Sequence, residues 1–110
     1  MIDPTTEAAD ALCAYGYHTA LIVPTNRGAW ARQRGISAFL IWSARDARTP
    51  YEWRCLTACG FLTRMAYGRT AAQAFDRARD LIDQVAVPWD IPLQQEIEQA
   101  AHERRIMELT

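Results

Sequence analysis

Three cysteines and two histidines carry most of the chemistry open to this 110-residue chain: Cys13, Cys55, Cys59, His18 and His102. A catalytic thiol needs a base beside it, or a helix N-terminus that lowers its pKa. The nearest pairing in sequence is Cys13, closing one expected helix, with His18 at the start of the next strand. Neither Cys13 nor Cys55 opens a helix, so both read as small apolar residues rather than nucleophiles. Cys55-x3-Cys59 is a poor zinc pair, because four residues of extended strand separate the sulfurs by about 13 Å. The acids fall mostly on polar helix faces, and Glu52 is expected to pair with Arg54 or a cross-strand arginine. Phosphate-cradling, dinucleotide, zincin and nucleophile-elbow motifs are all missing. The sequence therefore assigns no catalytic residue, no metal ligand and no cofactor.

Arginine next to aromatic residues is the signal that remains. It recurs as Arg27-Gly-Ala-Trp30-Ala-Arg32-Gln-Arg34, as Trp42 with Arg45 and Arg48, as Trp53-Arg54, and as Arg64 with Tyr67 and Arg69. Guanidinium forks beside flat rings suit single-stranded nucleic acid. They suit an acidic protein surface equally, since Trp, Tyr and Arg dominate interface hot spots. Trp42 and Trp53 are expected in the core, where large aromatics are mostly buried. The segment from Arg27 to Arg34 is different: three bases stand there without a local acid.

Charge is strongly segregated along the chain. Residues 1–16 carry −3 and no base, residues 17–69 carry eight arginines against Asp46 and Glu52, and residues 70–110 carry four arginines against eight acids. A formal net charge of −1 thus conceals a basic centre between acidic ends, a pattern that bears on partners rather than on fold. All twelve basic residues are arginine, which a GC-rich genome explains more simply than selection for forked contacts. An odd cysteine count does not make a disulfide framework. The start lacks a basic, apolar leader, and the longest apolar run, Ala38 to Trp42, is too short to cross a bilayer. The expectation is a cytoplasmic protein with no membrane contact.

These residues must be positioned by a single α+β domain, 1–110. Asp3-Pro4 opens a short helix that Gly16 closes. Tyr17 to Val23 reads as a central or doubly covered strand, and residues 29–35 as an edge strand or a basic loop. Ile36 to Ser43 is the clearest strand, pairing with Tyr51 to Ala58; Gly60 marks a bulge or bend before a strand from Phe61 to Tyr67. Thr70 caps a helix to residue 85 whose stripe is Ala71, Ala74, Phe75, Ala78, Leu81, Ile82 and Val85. Val87-Pro88-Trp89-Asp90 ends it, and a last helix spans 92–108. The order is α-β-β-(β)-β-α-α: a two-layer fold with three or four antiparallel strands and three helices, the amphipathic ones on one sheet face.

That leaves the other face for binding. Phe39, Ile41, Arg54 and Leu56 are expected to form an apolar patch edged by charge, bare or used for self-association. Residues 26–35 are expected to be a mobile basic hairpin whose Arg27, Trp30, Arg32 and Arg34 make first contact with an acidic partner. The function that follows is a small non-enzymatic binding protein, monomer or homodimer, docking on an acidic protein or nucleoprotein surface. An anti-CRISPR-like inhibitor from a phage or plasmid fits that size and composition. Direct nucleic-acid binding is the second reading, and a small enzyme with a Cys/His site the third.

Overall fold

The computed structural model describes residues 3–84 and 93–109. Helix α1 (Pro4–Ala14) begins where Asp3 accepts a hydrogen bond from the Thr5 amide and Pro4 takes a first-turn position that needs no donor. Tyr17, buried, donates its hydroxyl to the Ile36 carbonyl. A 3-10 turn over Thr19–Leu21, capped by His18, leads into the sheet.

The sheet is an antiparallel meander in sequence order, built from β1 (Ile22–Thr25), β2 (Gly28–Gln33), β3 (Ile36–Ser43), β4 (Glu52–Cys59) and β5 (Leu62–Gly68). The α+β, helix-on-sheet architecture is as expected, with one strand more. Residues 28–33 are neither edge strand nor loop. They form an interior strand bonded to β1 on one side and β3 on the other. The expected mobile hairpin is therefore absent, because β2's backbone groups are shared between two neighbours. Conversely, β1 is an edge strand that starts only at Ile22 and contains Pro24, a residue edges tolerate because no ladder donor is required outside. Gly60 sits not at a bulge but in the two-residue Gly60-Phe61 turn, at φ 63°. The turn between β2 and β3 likewise uses positive φ at Arg34 (55°) and Gly35 (78°), the left-handed backbone that two-residue hairpins need.

Helices α2 (Ala71–Ala78) and α3 (Asp80–Asp83) divide at Arg79 the single helix expected there. The apolar stripe nevertheless runs on through Leu81 and Ile82. Thr70 accepts from the Gln73 amide, and the Glu7 carboxylate from α1 accepts from the Ala71 amide, so an anion sits on the positive end of α2. The core lies between these helices and one sheet face: Leu12, Ile22, Ile36, Leu40, Trp53, Cys55, Phe75 and Ile82, with the half-buried Trp42 packed against it. Two buried polar residues are tied in, Thr57 donating to the Ala78 carbonyl and Gln33 accepting from the His18 amide. Helix α4 spans Gln94–Leu109. Val85, Val87, Trp89 and the chain break expected around Pro88 lie outside the described residues.

Candidate binding face

Strand alternation and register decide what the second face of the sheet presents. Cross-strand partners Val23–Trp30, Trp30–Phe39, Phe39–Leu56 and Leu56–Met65 place one apolar row across all five strands. The next row runs through Ile41, Arg54 and Tyr67, and the row on the other side through Arg32, Ser37, Ala58 and Thr63. Five of the seven residues expected to bind a partner (Trp30, Arg32, Phe39, Ile41 and Arg54) therefore share this face.

Arg27 and Arg34 do not join them. They occupy the turns at opposite ends of β2, about 23 Å apart along an extended strand. Arg27 donates to the Tyr51 hydroxyl at 2.6 Å, with its guanidinium 5.0 Å from the ring centre. The Arg34 amide donates to Glu96 of α4, so the acid missing from the local sequence arrives from a distant helix.

Helix α4 lies over the β1–β2 half of the face. Arg104 donates to the Ile22 carbonyl, and Ala100 is buried. Between α4 and the sheet is a cleft of about 380 Å³, lined by Val23, Trp30, Arg32, Gln99, Ala100 and Glu103 among others. The β3–β5 half stays open: Phe39 is 39% and Met65 51% exposed. At its end, Arg45 stacks 3.6 Å over the Tyr67 ring, Arg54 lies 5.9 Å from the same ring, and the Tyr67 hydroxyl donates to the Met65 sulfur. Glu52 pairs with Arg45 from the preceding loop, not with Arg54 or a cross-strand arginine. The Arg54 Nε is buried and has no partner.

Tyr67 and Arg45 belong to the arginine–aromatic pattern of the sequence, but Met65 was missed. The signal that finds it is the short turn: two residues at Gly60-Phe61 set Cys59 opposite Leu62 and hence Leu56 opposite Met65.

Two of the groups with catalytic potential, His18 and Cys55, are held within the fold. His18 uses Nδ1 to accept from the Ala20 amide. Cys55 is fully buried, and burial pushes its thiol up to about 12, away from the thiolate a nucleophile requires. Burial also raises Tyr17. Tyr15, half-exposed, is raised first by desolvation and then by its bond to Asp76, while Arg79 opposes the shift. Among the described residues, no three His, Cys, Asp or Glu side chains gather as a metal site, and no helix is long and apolar enough to cross a membrane. No protein-family model, curated protein or solved structure matches this chain.

Proposed function

We propose that this protein is a non-enzymatic binding protein whose open β3–β5 face docks on an acidic surface of a larger protein or nucleoprotein assembly. One observation carries the reading: the Phe39–Leu56–Met65 row and the basic groups Arg45 and Arg54 lie on the same uncovered side of the sheet. Apolar area supplies affinity, and the arginines supply orientation and a faster, salt-sensitive encounter. Glu52 is the one acid the strands bring to this face, and Arg45 already offsets it. Burial of the Cys55 thiol and the structural engagement of His18 support a binder over a Cys/His enzyme. A stoichiometric blocker of a host defence complex, anti-CRISPR-like and carried by a phage or plasmid in a bacterial cytoplasm, is the use we propose for such a face.

Capture from lysate with wild type, Phe39→Glu and Arg54→Glu, each with and without nuclease, tests this. One protein recovered by wild type in both conditions, and reduced about tenfold or more by each variant at unchanged melting temperature, is the expected result. Equal capture by the variants would remove the face from the account. Loss of capture on nuclease treatment would transfer the face to nucleic acid.

A further inference from the structure

The two edges of the sheet are treated very differently. Edge strand β1 is short and contains Pro24, whose missing amide falls on the outer side. Its outer Ile22 carbonyl is occupied by Arg104 of α4, while Thr5 of α1 donates to the Thr25 carbonyl at the strand's end at 2.7 Å. Proline, shortness and covering groups are the devices that keep an edge from pairing with another chain. Edge strand β5 has seven residues, no proline and no lysine, and Leu62 to Met65 are exposed. Its one charge, Arg64, is already paired with Asp80 of α3 at 3.1 Å. Phe61, at the turn, is fully exposed and Leu62 is 61% exposed.

Which β5 groups face outward follows from the ladder. The two-residue turn is closed by the hydrogen-bonded pair Cys59 and Leu62, so Leu62, Arg64, Ala66 and Gly68 point their amides and carbonyls at β4. Thr63, Met65 and Tyr67 point theirs away. The Tyr67 carbonyl indeed accepts from Arg77 rather than from β4.

We propose that β5 pairs antiparallel with β5 of a second copy of this chain, with the two-fold axis passing at Met65. This register is self-complementary. Thr63 and Tyr67 exchange both backbone bonds with Tyr67 and Thr63 of the partner, and Met65 with Met65, giving six bonds in all. The Tyr67 carbonyl has a second lone pair, so the Arg77 bond persists. On the helix side, large faces small: Leu62 lies opposite Gly68 and Arg64 opposite Ala66. Pairing centred on Arg64 would instead bring two arginines together. On the open side, Met65 meets Met65 and the apolar row Val23–Trp30–Phe39–Leu56–Met65 continues into its counterpart. A neutral, self-matching edge fits a second copy better than the acidic partner of the open face, and the dimer does not depend on what binds that face.

Sedimentation of the full chain over a concentration series tests the pairing, with Thr63→Pro and Met65→Lys beside wild type. Proline at 63 removes an outward amide that β4 does not use, and so two of the six bonds; lysine at 65 sets two like charges across the axis. Wild type is expected to sediment at twice 12.5 kDa at high concentration. Each variant is expected to need a concentration about tenfold higher or more to do so, with wild-type circular dichroism. A wild type that stays at 12.5 kDa throughout, or a dimer that neither substitution weakens, overturns the proposal. Should Thr63→Pro fail to fold, Met65→Lys, which keeps every backbone donor, decides. Phe39→Glu and Arg54→Glu should leave the dimer intact, which separates its failure from failure of the docking face.

Discussion

Phe75→Ala is the sharpest test of the packing that leaves one sheet face free. Phe75 is fully buried, its ring stacked on Tyr15 at 4.3 Å between centroids and meeting Tyr17 edge-on at 6.2 Å. Truncating a buried phenylalanine costs about 3–5 kcal/mol through lost transfer energy and the cavity left behind. Two aromatic contacts, each about 0.5–1.5 kcal/mol beyond area, place this position near the upper end. Tyr15 also loses the ring that holds it against Asp76 and Arg79. Domains of this size have about 5–15 kcal/mol in total, and one kcal/mol moves the midpoint by about 4 °C. A calorimetric or circular-dichroism melt should therefore show a loss of about 12–20 °C, or no cooperative transition at all. Phe75→Leu keeps most of the apolar volume but neither ring contact, and should fall by about 1–2 kcal/mol. A Phe75→Ala midpoint within about 3 °C of wild type would mean that α2 does not cover this face, and the assignment of the opposite face as open would fall with it.

The Cys55 thiol is raised from 9.0 to about 12 by burial, so the folded state keeps a proton that the unfolded chain releases. Its contribution is full below about pH 9 and is lost as pH rises from there through about 12, in the same direction as the raised Tyr17; urea midpoints should fall over that window and fall less steeply in Cys55→Val. A thiol reagent at pH 8 should modify exposed Cys13 rapidly and Cys55 only on unfolding. Gly28→Ala should cost about 2–4 kcal/mol, because a Cβ there would lie 1.8 Å from the Leu40 carbonyl oxygen in the adjacent strand. Gly35→Ala, at φ +78° with open space around it, should cost only about 1–2 kcal/mol, and equal losses in chemical denaturation would contradict the tight β2–β3 approach.

Local patterns in the sequence carried the helices and the middle of the sheet. Asp3-Pro4, Thr70 and the Phe75–Ile82 stripe are short-range signals, and the structure places a cap or a buried face at each. Period-two alternation in Ile36–Ser43 gave both faces of β3 correctly. Strand β2 was harder to read because Gly28-Ala-Trp-Ala-Arg-Gln33 has few β-branched residues. It is strand by tertiary demand: small Ala29 and Ala31 fit under α1, and bonds on both sides hold the backbone. The run Leu21-Ile22-Val23 reads as central or doubly covered because both its faces are apolar, and the second alternative is the one found. It is covered twice at the sheet's edge, by α1 on one side and α4 on the other, which sequence periodicity cannot distinguish from a central position.

Segregated charge along the chain is disposed differently on the two sides of the sheet. On the helix side it is consumed by the fold: Arg64 pairs with Asp80, Arg79 with Asp76 and Asp83, and Glu7 caps α2. Glu96, from the acidic C-terminal third, is likewise spent on the Arg34 amide, and Glu103 lines the cleft beside Arg32. These are exposed or half-buried contacts, screened by solvent and offset by the cost of ordering long side chains, so they steer assembly more than they stabilise it. The open face is different. Arg45 and Arg54 flank Tyr67, and Glu52 is the single strand carboxylate set against them. Part of the basic centre thus keeps an unbalanced field after folding, and it does so beside the one apolar row the helices leave uncovered.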